Sequence, residues 1–125
     1  MTNDLVVKAS KNAYYNQAPD KNEQLIFHSD LGSQYTSNDL KELCKDFNIT
    51  QSFSKKVCPY DNAYIESFHS SLKKEEIYRN TYRTFEEANL AIFKYIEGWY
   101  NRKRLHSALN YMTPNQCELL ARSAA

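Results

Sequence analysis

The stretch LIFHSDLGSQYTSNDLKELCKDFNITQSF, Leu25 to Phe53, decides the fold. It opens on an apolar run, Leu25-Ile26-Phe27, that ends abruptly in His28-Ser29-Asp30, with Gly32 just beyond. Gln24 to His28 reads as a short buried strand. Ser37 stands where an N-cap belongs, and Leu40, Leu43 and Phe47 share one face of a predicted helix from Asn38 to Phe47. Asn48 to Phe53 alternates and favours β-branched and aromatic residues, which predicts a second strand. Strand, helix, strand at this spacing is a βαβ unit with parallel strands and a right-handed crossover.

On the N-terminal side, Leu5, Val6, Ala9 and Ala13 recur at helical spacing. They predict a helix from about Asp4 to Gln17, with Asn3 as its cap and Pro19 as its stop. On the other side, Ser54 to Pro59 is a polar, basic loop containing Lys55 and Lys56. A helix follows over about Tyr60 to Glu75. Thr84-Phe85-Glu86-Glu87 fits the capping box and starts a helix that carries Ala88, Ala91, Ile92, Tyr95 and Trp99 to about Tyr100. Asn101-Arg102-Lys103-Arg104 is a basic link, and Thr113-Pro114 opens a last short helix with proline in its first turn. The aromatic residues Tyr64, Phe68, Tyr95, Trp99 and Tyr100 read as core packing.

The bulk numbers narrow the class. At 125 residues the chain is long enough for one small domain and not for two. With 42% hydrophobic and 25% charged residues it resembles an ordinary globular chain. Only two glycines argue against an all-β fold full of tight turns. The net charge of +1 gives no general attraction to nucleic acid, so any basic surface must be local. Cys44, Cys58 and Cys117 are widely spaced and form no Cys-x-x-Cys pair. Even with His28, His69 and His106 they make a poor zinc site, and idle thiols in a reducing cytoplasm are the simpler reading. No basic leader and no long apolar run is present, so a cytoplasmic chain without a membrane partner is expected.

Two acids stand out. Asp30 lies where the first strand ends, and Glu66 lies in the helix after the second strand. In α/β sheets, sites gather outside the carboxyl ends of strands. Two carboxylates there suit Mg²⁺ or Mn²⁺, ions that prefer oxygen ligands and serve phosphodiester chemistry. Asn62, Glu66, His69 or Ser70, and Lys73 share one side of the helix, acidic at its start and basic toward its end. That side suits a metal next to a phosphate backbone, with Lys73 and Lys74 on the phosphates. The bland readings are a solvated helix face for these residues and, for Asp30, a turn aspartate bonding its own backbone.

Three motifs in order give the chain a specific resemblance: HSDLGSQYTS, then thirty-five residues between Asp30 and Glu66 with DNAYIESFHSSLKKE around the glutamate, then YNRKRLHSALNYMTP. From about Asp4 to Glu118 the sequence resembles the catalytic core of bacterial insertion-sequence transposases. These are retroviral-integrase-like enzymes with an Asp, Asp, Glu triad on a ribonuclease H-like fold. The resemblance implies a truncated α/β core over residues 1–110, a two-stranded parallel remnant covered by helices, and a C-terminal helical tail over 111–125. It implies DNA as substrate and two Mg²⁺ (or Mn²⁺) ions held by the triad. Water first frees a 3′-hydroxyl at the transposon end, and that hydroxyl then attacks a target phosphodiester.

Residue by residue, Asp30 matches the second triad acid and Glu66 the third. Asn62, Lys73 and Lys74 match the polar and basic neighbours of the glutamate. Arg102, Lys103, Arg104 and His106 lie in the C-terminal signature, where contact with DNA is implied, and Lys55 and Lys56 extend the basic set. The first triad aspartate has no match. Asp4 falls in the first predicted helix and Asp20 in the loop after it. The chain therefore reads as a C-terminal fragment with weak metal binding and little activity alone. Two other roles follow from the same reading. One is a partner that pairs with full-length transposase, or with itself, through a bare strand edge, and inhibits it. The other is a residual DNA-binding module.

Overall fold

Leu25–Ser29 (β1) and Ile49–Phe53 (β2) pair in parallel, with Leu25 opposite Ile49 and Ser29 opposite Phe53. The βαβ reading thus holds, in a two-stranded sheet. This computed structural model describes residues 2–56 and 58–124. Val57, one position of the loop expected over Ser54 to Pro59, lies outside the described residues. Contacts group the chain into two compact units, Met1–Ile65 and Glu66–Ala125.

In the first unit, α1 (Asn3–Gln17) and α2 (Asn38–Asp46) cover one face of the sheet. Ser37 caps α2 as expected, its hydroxyl accepting the Leu40 N–H. Val6 from α1 meets Leu40, Leu43 and Cys44 from α2 in the core, with Phe27, Tyr35, Phe47 and Ile49 packed around them. Tyr14 stacks on Phe47, with centroids 4.1 Å apart. Several boundaries move by a residue: β1 runs Leu25–Ser29 where Gln24 to His28 is expected, and α2 ends at Asp46 rather than Phe47. Thr2, not Asn3, occupies the N-cap of α1 and makes no side-chain cap bond. Asn48, expected in the second strand, instead takes a left-handed φ of 55° that ends α2 and turns the chain into β2. Asparagine adopts that conformation more readily than a β-branched residue. The uncovered sheet face carries Ile26, 73% exposed, beside polar rungs from Gln24 to Thr50 and from His28 to Ser52.

Pro59–Asn62 forms a 3₁₀ turn that leads straight into α3 (Ala63–Glu75), where a continuous helix from Tyr60 is predicted. In the second unit, Thr84 caps α4 (Phe85–Phe93), its hydroxyl accepting the Glu87 N–H at 3.1 Å. Glu87 does not complete the expected box. Its carboxylate takes the Arg83 N–H instead, one residue before the cap. The predicted helix continues to Tyr100, but Lys94–Tyr100 is π-helical. Such widened turns often mark functional segments. At α5 (Pro114–Ser123), Thr113 and Gln116 do form a full capping box. Tyr95 is buried as expected, whereas Tyr64 is 87% and Trp99 46% exposed, which corrects their assignment to the core. Among the described residues, no helix is long and apolar enough to cross a membrane.

Candidate functional site

Asp30 follows the last residue of β1. Its Oδ1 accepts the Gly32 N–H at 2.8 Å, so the backbone-bonded turn expected for an aspartate here is present. Space is tight at position 32, where a side chain could enter only if its neighbours' side chains shifted. A Cβ there would stand 2.9 Å from Asp30 Oδ1 and 2.7 Å from the Gln34 amide nitrogen. Gly32→Ala is therefore expected to displace the Asp30 carboxylate, read as a shift of the Asp30 side-chain carboxyl resonance with the β1–β2 amides unchanged.

The carboxylate opens on a cleft of about 380 Å³ that Ser54, Lys55, Lys56, Cys58 and Asn62 also line. Four of the expected site residues, Asp30, Lys55, Lys56 and Asn62, are thus brought together in one unit. Ser54 organises the floor. Its N–H continues the sheet to Ser29 O at 2.8 Å, and its hydroxyl reaches Asn62 Oδ1 at 2.8 Å. Asp61 fixes the rim by accepting the Lys55 N–H at 2.9 Å. That bond and the Cys58 thiol hold its carboxyl below the usual carboxylate range. Neither Ser54 nor Asp61 has a sequence signal, because each acts on a partner six to twenty-five residues away.

Glu66, Lys73 and Lys74 are all exposed along α3, the glutamate in its first turn and the lysines in its last. A carboxylate at the start and cations at the end both complement the helix dipole. Arg102 and Lys103 are exposed after the π-helical segment. Arg104 is not free. Its Nη2 meets Glu75 Oε1 at 2.7 Å, and its Nε donates to both Glu75 oxygens. Tyr95 OH donates to Glu75 Oε2 at 2.7 Å and Trp99 Nε1 to the same oxygen at 3.3 Å. The Arg104 bonds above all hold the Glu75 carboxyl down at about 2, against the desolvation that opposes them. Burial and Glu75 push the Tyr95 phenol up. His106 packs edge-on to Tyr100 and touches Arg104 Nη1 at 3.2 Å. Burial, reinforced by the Arg104 charge, lowers the His106 imidazole below its ordinary range, so the ring is neutral near pH 7. Arg104 and His106 thus turn their polar groups into their own unit.

Asp30 offers the hard oxygen that a divalent cation prefers. No other residue lining the cleft is a carboxylate. Among the described residues, no group of three or more His, Cys, Asp or Glu could hold a metal ion. The donor chemistry therefore fits such an ion in kind and falls short in number. Asp4 lies in α1 and Asp20 in the turn after it, where its Oδ1 accepts the Asn22 N–H.

The sequence profile of the integrase core domain family matches residues 47–114. The transposase for insertion sequence element IS904 of Lactococcus lactis subsp. lactis is 47% identical over 94 residues, covering 75% of this chain and 37% of that protein. Transposase InsF for insertion sequence IS3A of Escherichia coli K12 is 39% identical over 118 residues, covering 94% of this chain and 40% of that one. The chain thus spans well under half the length of both relatives. A chain in the cryoEM structure of the simian T-cell lymphotropic virus intasome, in complex with PP2A regulatory subunit B56 gamma, superposes with a TM-score of 0.65 at 14% identity. That match covers 85% of this chain and 36% of the other. At that identity the likeness bears on the fold, and it agrees with the ribonuclease H-like architecture expected from the motifs. The chain belongs to the integrase core domain family.

Proposed function

We propose that this chain carries part of the machinery for metal-dependent DNA strand transfer, with Asp30 and Glu66 as its two catalytic carboxylates. What supports the reading is the spacing of thirty-five residues between them inside the three ordered motifs of the family. Each carboxylate is proposed as a ligand to Mg²⁺ or Mn²⁺. Such an ion, when bound, would activate the attacking oxygen and stabilise the leaving one. Asn62 supplies a neutral polar contact at the cleft. Lys55, Lys56, Lys73, Lys74, Arg102 and Lys103 are proposed to lie on DNA phosphates, while Arg104 and His106 hold their segment in shape beside them. We assign residues 1–110 to the core and 111–125 to a helical tail, in a cytoplasmic protein.

With two matched acids, metal binding is weak and strand transfer by the chain alone is negligible. Incubation with duplex DNA and Mg²⁺ is expected to give no joined product. Product that Glu66→Gln abolishes would refute the inactivity. Binding to a labelled duplex tests the DNA contact itself. Affinity is expected to fall steeply with salt, and Lys55→Ala and Lys56→Ala each to reduce the slope by about 1. Salt-independent binding, or none at low salt, sinks the proposal.

One observation favours a second role. Both strands of the two-stranded sheet are edge strands, and Ile26 on β1 is exposed. Such edges accept a strand from another chain, here a full-length transposase or a second copy. Co-purification that survives Ile26→Lys would count against it.

A further inference from the structure

Asn62 is the one neutral amide lining the Asp30 cleft. An amide presents an acceptor on one side and two donors on the other, and only an outside contact decides which side faces the cleft. That contact is Ser54, which is 6% exposed. Its hydroxyl has one proton and three neighbours: Asn62 Oδ1 at 2.8 Å, Ser29 O at 3.2 Å and His28 Nε2 at 3.3 Å. Ser29 O already accepts the Ser54 N–H at 2.8 Å. Asn62 Oδ1 is the nearest of the three acceptors, by about 0.4 Å over the next, and so takes the proton. In the tautomer that matches this direction, His28 donates from Nε2 to the serine oxygen at 3.3 Å and accepts the Ser52 hydroxyl at Nδ1, 3.0 Å away. The result is a directed chain from the open sheet face to the cleft: Ser52 to His28 to Ser54 to Asn62.

We propose that Ser54, backed by His28, is a positioning residue that locks the Asn62 amide with its NH₂ group turned into the Asp30 cleft. The chemistry this presents is a pair of neutral donors between Lys55, Lys56 and the Asp30 carboxylate. It suits a non-bridging oxygen of a DNA phosphate, which lysine alone would hold as a point charge without fixed direction. Neither serine nor histidine touches the phosphate. They act through Asn62, and the bond lies within the first unit. The phosphate part of this inference rests on the function proposed above, while the locking of the amide does not.

Two readouts separate them. Side-chain amide NMR of Asn62 in the full chain reports the lock. A separation of the two NH₂ proton shifts wider than that of a free asparagine amide, with slow solvent exchange, is expected in the native protein. Ser54→Ala should narrow their separation and raise their solvent exchange at least fivefold, and Ser54→Thr, which keeps the hydroxyl, should restore both. His28→Ala, on the exposed face, removes the partner of the Ser54 hydroxyl while keeping the serine itself, and should loosen the amide through it, so the lock stays testable if Ser54→Ala fails to fold. An Asn62 amide indifferent to both alanine variants overturns the proposal. Duplex binding at low salt reports the use of the amide. Ser54→Ala and Asn62→Ala are each expected to weaken it about fivefold, and together no more than either alone, as for two residues acting through one contact. Additive losses overturn the relay. If the native chain binds no duplex, the phosphate reading fails, and the Asn62 resonances still decide the lock.

Discussion

Leu40→Ala is expected to remove about 3 kcal/mol from the first unit, within the range of about 2–5 kcal/mol for such a truncation in a core. Leu40 is the only fully buried large side chain among the described residues, at 0% exposure. It sits where α1, α2 and the sheet converge, against Val6, Leu43 and Cys44. Two stiff elements flank it, so little can collapse into the space left behind. The loss is large because the unit is small. Stability of about 0.05–0.15 kcal/mol per residue gives a piece of this length only about 3–10 kcal/mol in all. Hydrogen exchange of the β1 and β2 amides checks it, and protection should fall by about two orders of magnitude. Leu40→Met, which conserves volume, should cost under about 1.5 kcal/mol. Full protection in Leu40→Ala would mean that the sheet is held by something other than this core.

The sequence carries this core openly, because its signals are local. Ser37 three residues before Leu40, and Leu40 three before Leu43, announce both the cap and the buried face of α2. The strand ending in Asp30 is equally legible, and so is the backbone bond that the aspartate makes. Asn48 is not. Its neighbours favour a strand, and only its left-handed turn shows that it closes the helix before it. The π-helical turns at Lys94–Tyr100 leave no pattern either, since an apolar stripe drifts little over two turns. Long-range polar bonds are the least visible. Ser54 is an unremarked serine until a 2.8 Å bond joins it to Asn62, a residue that the helix face alone singles out. Arg104 reads as a free cation beside Arg102 and Lys103, because its partner Glu75 lies 29 positions away. A basic run therefore overstates the charge available to DNA by the cations that the fold itself consumes.

That pairing gives the second large effect. The folded pKa of Glu75 lies at about 2, below the ordinary 4.5. A depressed acid contributes stability that is fully present above its unfolded pKa and lost as pH falls through the folded one, here between about 4.5 and 2. The full shift would correspond to about 3.4 kcal/mol at 1.36 kcal/mol per unit. Glu75 and Arg104 keep 28% and 26% of their side chains exposed, so solvent screening reduces the expected loss to about 1–3 kcal/mol. The carboxylate also stands at the C-terminal end of α3, where the helix dipole disfavours it. Arg104, Tyr95 and Trp99 offset that cost together. Trp99 is the single tryptophan and bonds Glu75 directly, so its fluorescence reports the network. At neutral pH, Glu75→Gln should lower the denaturation midpoint read at Trp99 and flatten the acid limb between pH 4.5 and 2. Glu118→Gln removes only the exposed pair to Arg122, and its cost should stay under about 0.5 kcal/mol. An acid limb that keeps its slope in Glu75→Gln would assign the low-pH loss to other carboxylates. It would also release Arg104 for a phosphate, because a guanidinium that does not need Glu75 in the folded unit is free to turn outward.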